Sequence, residues 1–254
     1  MNLCILDSSE EIQVLPASDR RAVHILGVLG KTRGDSLKAA SPDGMLGTAR
    51  IVSIDPDKVV VHFRAEMPAP PLYPVHVLLG AVRPIQAARI VRDLTALGVA
   101  SIWFFPTELG EKSYLQSNFY RKKEYLAHAQ EGAEQAGNPR LPQMLLFWSR
   151  KKLLEALRQQ DRPAGLRLIC HPDAPAGLGS VPLRPEVVRT AEIQASAVPP
   201  VYLAIGTERG WTDAELAEFE SEGFMRCGLG SRILRTETAA IASVSVLLSR
   251  MGAL

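Results

Sequence analysis

The sequence predicts an α/β protein, in which a parallel sheet covered by helices on both faces follows a small β-rich unit. After residue 74, strand-like apolar runs alternate with segments of helical periodicity, an order typical of parallel sheets. Before residue 70, short β-rich runs are separated by turn residues. The segment 67–74 holds four prolines in eight residues, which predicts a semi-rigid linker. We therefore place two domains, at 1–70 and 75–254.

The N-terminal unit is predicted to be a meander or hairpin with one helix. Ser41–Gly44 carries turn residues and precedes the β-rich run Gly47–Ile54. A second turn, Asp55–Asp57, separates this run from Lys58–Phe63. Arg20–Leu29 is the one helix-like segment of the unit.

The larger domain is predicted to alternate strands and helices to its end. Pro84 suits a first helical turn and Gly98 suits a helix end, while Thr212 and Glu215 have the spacing of a capping box. The Pro- and Gly-rich segment 174–199 is predicted to be mostly loop. The predicted strands are Val75–Val82, Val99–Phe105, Leu166–Cys170, Pro200–Ile205 and Phe224–Leu229. The predicted helices are Pro84–Leu97, Asn118–Ala136, Lys151–Gln159, one ending before Gly223, and a last helix whose stripe of Ile241, Val244, Leu248 and Met251 serves the core or an interface.

The composition excludes several classes of protein. The chain of 254 residues is 46% hydrophobic and 22% charged, which is ordinary for a soluble globular protein. No apolar run approaches the roughly 18 residues of a membrane span, and the N-terminus lacks the pattern of a secretory signal. Three cysteines without CxxC spacing argue against a disulfide framework or a zinc site. We therefore expect a cytoplasmic protein with no membrane partner and no metal.

Basic residues are concentrated in the middle of the chain. The net charge is only +2, but residues 71–160 hold 12 basic and 7 acidic residues. Such a local excess fits either a nucleic-acid footprint or a solvated helix face, and charge alone leaves both interpretations open.

Two predicted strands near the C-terminus each run into a glycine-bearing loop and then a helix. The first loop is Gly206–Gly210 and the second begins with Gly228–Arg232. Ligands of open α/β sheets bind at the carboxyl ends of the strands. Two such loops side by side therefore predict a cofactor slot built from backbone amides.

Common signatures of nucleotide sites and hydrolases fail in this chain. Gly27–Thr32 is similar to the end of a P-loop, but Ile25 stands where the first glycine is required. Gly228–Gly230 begins like a dinucleotide fingerprint, but Ile233 takes the third glycine position. No GxSxG or HExxH is present, and the five scattered histidines are predicted to be structural.

The remainder of the second loop carries two arginines, a glutamate and two hydroxyls around a strand-to-helix turn. A capped helix start explains Thr236 or Thr238 as N-cap and Glu237 as a partner of the helix dipole. It does not explain Arg232 and Arg235, because cations oppose the dipole at that end. An anionic partner, such as a phosphate or a polarised base, explains these arginines better.

The run Leu229–Ala240 (LGSRILRTETAA) resembles the signature loop of the SPOUT-superfamily RNA methyltransferases, and specifically of the family that methylates N3 of a uridine in bacterial 16S ribosomal RNA. The small N-terminal unit resembles that family more weakly, through His24–Leu26 and Arg33–Asp35. Further stretches that agree, in the family's order, are Leu97–Val99 with Pro106–Glu108 (LGV and PxxTE), Glu134–Pro142 (EQAGNPRLP, the glutamine/arginine motif) and Ile205–Gly210 (IGTERG, the first cofactor loop).

The resemblance implies an α/β methyltransferase domain whose C-terminal stretch is threaded into a trefoil knot, preceded by a small RNA-binding β-barrel of the PUA-like type. It implies S-adenosylmethionine as cofactor, small-subunit ribosomal RNA as substrate, and a homodimer formed by the knotted domains. The cofactor-binding residues implied are Ile205, Gly206, Gly210, Leu229, Gly230, Ile233, Leu234 and Thr238, and the substrate-binding residues implied are Gln135 and Arg140.

Methylation of uracil N3 requires particular groups, whatever the family. The N3 proton must leave as the ring attacks the methyl group, and negative charge then spreads onto the ring oxygens. A guanidinium aimed at a ring oxygen stabilises that charge as an oxyanion hole does, a role open to Arg232 or Arg235 with the other on a phosphate. Glu237 is the nearest carboxylate in sequence that can accept the proton or orient an arginine. These three are the predicted catalytic residues.

Several positions depart from the family's pattern. Thr207 and Arg209 replace a proline and a glycine of the first cofactor loop. Asp93, Ala96 and Leu109 stand where a lysine, a glutamate and an arginine are usual. The cofactor motif is thus intact while RNA-side charges have changed, which fits a divergent member with another uridine or another rRNA site as target. The alternative is a non-catalytic RNA-binding or ribosome-assembly factor on the same fold.

Overall fold

The computed structural model describes residues 2–160, 165–182 and 199–254. The chain divides into two compact units. The first contains Met1–Pro70 and Gln130–Arg140, and the second contains Pro71–Ala129 and Leu141–Leu254. Gln130–Arg140 falls within the predicted larger domain, whereas its contacts group it with the first unit. Among the described residues, no helix has both the length and the apolar character that crossing a membrane requires.

The first unit is built on a five-stranded mixed sheet. Buried and more exposed residues alternate along the strand Lys58–Pro68, because a strand with one buried face has a period of two. The buried residues are Val59, Val61 and Phe63. The predicted helix forms as α1 (Arg20–Val23) followed by a π-helical turn at His24–Val28. The strands are β1 (Cys4–Ile5), β2 (Ile12–Pro16), β3 (Ser36–Ala40), β4 (Met45–Ile54) and β5 (Lys58–Pro68). They lie in the order β1-β3-β4-β5-β2, with β1 parallel to β3 and the other pairs antiparallel.

The second unit contains a six-stranded sheet in which every pair of neighbours is parallel, as predicted. Its strands are β6 (Tyr73–Gly80), β7 (Val99–Phe105), β8 (Gln143–Leu146), β9 (Leu166–Cys170), β10 (Val201–Ile205) and β11 (Met225–Cys227). They lie in the order β11-β9-β10-β6-β7-β8. Because all six are parallel, their carboxyl ends meet at one edge of the sheet. The short strand β8 was not predicted.

Helices cover both faces of this sheet, which also confirms the prediction. Along β7, Ile102 and Phe104 join one buried cluster with apolar residues of the first and last helices of the unit. The alternate residues Trp103 and Phe105 join another cluster, with two further helices. The helices are α2 (Pro84–Ala96), α3 (Asn118–Arg121), α4 (Tyr125–Ala136), α5 (Arg150–Arg158), α6 (Asp213–Ser221) and α7 (Thr236–Arg250).

The helix predicted over Asn118–Ala136 is wrong in one respect, because it is divided into α3 and α4. Lys123 lies between them with φ of +58°, and a left-handed residue cannot continue a right-handed helix. Its position in the sequence carries no glycine or proline signal.

The apolar stripe of α7 belongs to the core. Val244, Leu248 and Met251 are fully buried, while Ile241 is half-buried. Of the predicted loop 174–199, the structure describes 174–182, with a 3₁₀ turn at Leu178–Ser180, and Pro199; the remainder lies outside the described residues.

Candidate active site

The two glycine loops lie at the carboxyl edge of the parallel sheet, but the strands that lead into them are not neighbours. Strand β9 lies between β10 and β11, so the end of β9 lies between the ends of those two strands. The segment that follows β9 bonds to the second loop, since Leu178 N–H donates to the Gly228 carbonyl at 2.8 Å and Gly228 N–H to the Ala176 carbonyl at 2.9 Å. The candidate site therefore includes a third loop, in addition to the two that the sequence predicts.

The first glycine loop follows β10 and is tightly packed at Gly206. A Cβ on Gly206 would lie 3.0 Å from Cε2 of Trp211. The indole is itself anchored, because its Nε1 donates to the Cys170 carbonyl at 3.1 Å and its ring packs on Phe105 and Phe219. Trp211 was not singled out from the sequence, where it is marked only by following directly on the loop.

The first loop closes on itself and on the loop after β7. Gly210 N–H donates to the Thr207 carbonyl at 2.9 Å, and Gly210 has φ of +72°, a conformation that favours glycine. Thr207 is buried, with its hydroxyl 3.3 Å from that of Thr107. Thr207 therefore fills a packed position, while Arg209 is exposed.

The second glycine loop is open. Gly230 has φ of +98°, and a Cβ there would have no atom within 4 Å among the described residues. Ile233 is 86% exposed, whereas Leu229 and Leu234 are half-buried. The loop thus presents free backbone and aliphatic surface beside the edge of the sheet.

The predicted catalytic arginines are exposed at the start of α7. Within the described part of the chain, neither Arg232 nor Arg235 forms an ion pair. Arg235 occupies the N-cap position with an extended backbone and no side-chain cap bond. The prediction that Thr236 or Thr238 caps this helix is wrong: Thr236 is its buried first residue, and Thr238 is exposed within its first turn.

Glu237 has a buried carboxylate oxygen, Oε2, without a hydrogen-bond partner among the described residues. Buried polar atoms are nearly always paired, so this oxygen is available to a donor from outside the chain.

The predicted substrate-binding residues, Gln135 and Arg140, belong to the first unit. Gln135 is exposed, and its carbonyl accepts from the Asn2 side-chain amide at 2.8 Å. Arg140 is half-buried, with Nε donating to the Ala69 carbonyl at 3.1 Å. Glu134, which comes directly before Gln135 in the same motif, is buried and pairs with Arg20. The motif therefore has structural contacts that the sequence did not reveal.

Cys170 and Cys227 lie at the ends of the neighbouring strands β9 and β11, with their sulfur atoms 4.0 Å apart. The Cys227 thiol and burial raise the pKa of Cys170 well above its ordinary value, so that Cys170 stays a neutral thiol. No cluster of three or more metal-binding side chains occurs in the ranges that the structure describes.

Comparisons with known proteins identify the family and the fold of this chain. A family model described as an RNA methyltransferase domain matches residues 68–248. The Ribosomal RNA small subunit methyltransferase E of Treponema pallidum is 34% identical, over 100% of this chain and 92% of its own. Its namesake "E 1" of Borreliella burgdorferi is 27% identical, over 99% of each chain. A Legionella pneumophila methyltransferase structure with SAM bound has a TM-score of 0.72 and 25% identity, covering 98% of this chain and 97% of that one.

Proposed function

Because the chain belongs to the RNA methyltransferase family, we propose that it methylates small-subunit ribosomal RNA with S-adenosylmethionine, most specifically at N3 of a uridine in 16S rRNA. The observation that carries this is the open second loop, where Arg232 and Arg235 are exposed and form no ion pair among the described residues, and where Glu237 follows in the sequence with a buried oxygen that has no partner there. The names of the curated relatives support the rRNA substrate. We place the reaction in the cytoplasm, where ribosomal RNA is assembled.

The three loops fit S-adenosylmethionine. Gly206 lets the backbone approach, Trp211 closes the floor beneath it, and Leu229 and Leu234 offer half-buried aliphatic surface for an adenine ring. We extend the slot to Ile205, Gly210, Gly230, Ile233 and Thr238. The cofactor supplies an electrophilic methyl group on a sulfonium. The chain's own residues hold it by uncharged backbone and apolar contacts, because a guanidinium is not attracted to the positively charged sulfonium.

The charged residues act on the RNA. The guanidinium of either Arg232 or Arg235 faces a uracil ring oxygen, where it stabilises the negative charge that develops as N3 loses its proton. The other binds a phosphate. Glu237 accepts the N3 proton or orients an arginine, roles that its unpaired buried oxygen permits.

We propose that the first unit is the PUA-like RNA-binding domain at 1–70, with Gln135 and Arg140 as further RNA contacts. Within this unit, a cavity of about 290 Å³ is lined by Arg33, Arg50 and His62 together with apolar atoms. A basic, partly apolar groove suits phosphates and stacked bases. We also propose that the C-terminal stretch of the second unit is threaded into a trefoil knot and that this unit forms a homodimer.

Single-turnover methylation tests the function. The chain is incubated with methyl-labelled S-adenosylmethionine and either unmodified 16S rRNA or reconstituted small subunits. We expect label in the RNA and a reverse-transcription stop at one uridine, because a methyl group on N3 blocks base pairing. Labelled RNA without a stop would overturn the N3 assignment alone. If the chain binds the cofactor but labels neither substrate, the proposed methyltransferase function is overturned.

The second candidate is a non-catalytic RNA-binding or ribosome-assembly factor. It is favoured by the changed positions: the Asp93 carboxylate is paired with Arg92 at 3.2 Å, and Leu109 and Ala96 are exposed and uncharged. The same experiment discriminates, since this candidate binds small-subunit RNA and shows no cofactor binding by calorimetry.

A further inference from the structure

Arg150 is the centre of an ion-pair cluster at the carboxyl edge of the parallel sheet. It is the first residue of α5, and its side chain is 18% exposed. Its Nη2 donates to Glu108 Oε1 at 2.9 Å, its Nη1 to Glu215 Oε1 at 2.9 Å, and its Nε to Glu218. One guanidinium therefore joins the loop after β7 to two successive turns of α6.

Two of these carboxylates also hold the end of the first glycine loop. The buried Glu215 accepts from the backbone N–H of Glu108 at 2.8 Å and from that of Thr212 at 3.0 Å. Glu108 accepts the hydroxyl of Thr212 at 2.8 Å. The Thr212 hydroxyl and then Arg150 hold the pKa of Glu108 below its ordinary range. Thr212, two residues after Gly210, is thereby fixed by charged partners.

The other end of the loop is held by close packing on the same neighbour. The Thr207 hydroxyl contacts that of Thr107, the residue before Glu108. A Cβ on Gly80 would lie 2.9 Å from the Thr107 methyl and 3.1 Å from the Thr207 methyl. A Cβ on Gly110 would lie 2.7 Å from the Thr107 hydroxyl. The loop after β7 therefore clamps the first glycine loop at both ends, and Arg150 ties that clamp to α6.

We propose that Arg150 is a positioning residue for cofactor binding, which acts through Glu108 and Glu215 to hold the loop Gly206–Gly210 in its binding shape. This rests on the proposed function. Without the guanidinium, the three carboxylates, of which Glu215 is buried, would repel one another, and the loop would relax. Lysine cannot substitute, because its ammonium is a compact point charge whereas the planar guanidinium presents separate N–H groups to three partners.

The test compares Arg150→Lys with a matched control, Arg158→Lys. Arg158 ends the same helix and pairs with Glu222 at the far end of α6, so the control alters an ion pair between the same two helices away from the loop. By calorimetry with S-adenosylmethionine, we expect Arg150→Lys to raise Kd about tenfold, equal to about 1.4 kcal/mol. Arg158→Lys should leave Kd within a factor of two. In methylation assays, KM for the cofactor should rise in Arg150→Lys while kcat stays unchanged.

Amide hydrogen exchange gives a second readout that needs no ligand. The amides of Gly210 and Thr212 should exchange faster in Arg150→Lys than in Arg158→Lys or the unaltered chain. Equal Kd values in both variants, or a lower melting temperature with unchanged Kd and exchange, would reduce Arg150 to a purely structural role. If the unaltered chain itself does not bind S-adenosylmethionine, the proposed function fails and this inference fails with it. If the unaltered chain binds and Arg150→Lys binds equally well, only this inference fails.

Discussion

The indole of Trp211 lies against Gly206 so closely that a Cβ on the glycine would sit 3.0 Å from ring atom Cε2. The ring cannot easily withdraw, because its N–H is bonded to the Cys170 carbonyl at the end of β9 and its faces pack on Phe105 and Phe219. This contact links the first glycine loop to the end of β9, and it makes the space over Gly206 sensitive to a single methyl group.

Gly206→Ala should therefore weaken S-adenosylmethionine binding about tenfold or more, because either the loop or the indole must shift to admit the methyl group. Calorimetry measures the change. Gly27→Ala is the matched control, since a Cβ at Gly27 meets nothing within 4 Å, and its affinity should not change. Equal affinities for both variants would move the cofactor slot away from Gly206.

Gly230→Val should abolish cofactor binding for a different reason. The space around Gly230 is open, but its φ of +98° is a backbone conformation that costs a branched residue on the order of 1–3 kcal/mol. The loop should leave this conformation and no longer offer its amides. Gly223→Val is the control. Gly223 also has a positive φ, of +82°, and no atom within 4 Å of a Cβ, but it follows α6 and is not part of either glycine loop. Retained calorimetric affinity in Gly230→Val would refute a cofactor role for this loop's backbone.

Alanine at Arg232 or Arg235 should leave the melting temperature and cofactor affinity nearly unchanged, because both side chains are exposed. Single-turnover methylation of small-subunit RNA should fall on the order of 10²–10³-fold for the arginine that faces the uracil ring. The arginine on a phosphate should instead weaken RNA binding and lower its salt slope by about one. Arg226→Ala, which removes a surface pair with Glu220, is the control. Full activity in both variants would end the catalytic assignment.

The homodimer should have a mass of about twice 27.7 kDa by light scattering at micromolar concentration. On α7, Val244 and Leu248 face the core, which leaves the half-buried Ile241 and Ala242 on the adjoining face. Ala242→Arg should yield a monomer with unchanged helical content, because a buried unpaired charge disfavours association. A monomeric unaltered chain would contradict the dimer.

Stability should fall at high pH through Cys4. Burial raises its pKa from 9.0 to about 12, so the folded chain keeps the neutral thiol while the unfolded chain ionises from pH 9 upward. The stabilisation that the neutral buried thiol gives to the folded chain is fully present below pH 9 and is lost as the pH rises from 9 toward 12. At pH 10.5 the loss is about 2 kcal/mol of unfolding free energy. Urea unfolding at pH 8 and pH 10.5 should show this difference in the unaltered chain and less of it in Cys4→Ala; an equal loss in both would exclude Cys4 as the cause.

Local patterns in the sequence were sufficient for most elements of the second unit. The capping box of Thr212 and Glu215 forms as predicted, and Gly98, at the end of α2, has φ of +78°. These features depend on hydrogen bonds and dihedral angles within a few residues. The π-helical turn after α1 and the break at Lys123 were missed, because neighbouring packing rather than a local signal decides them.

The sequence by itself determined the parallel α/β order, the two glycine loops at the ends of strands, and the arginine- and glutamate-bearing run that resembles one methyltransferase family. Only the tertiary structure decided that β9 lies between the strands that lead into the two loops, that Trp211 packs on Gly206, and that Arg150 joins three carboxylates. The physical reason is range. Periodicity and capping record interactions between residues close in sequence, whereas the place of β9, the partners of Arg150 and the bond that anchors Trp211 to Cys170 join residues that lie 35 or more positions apart.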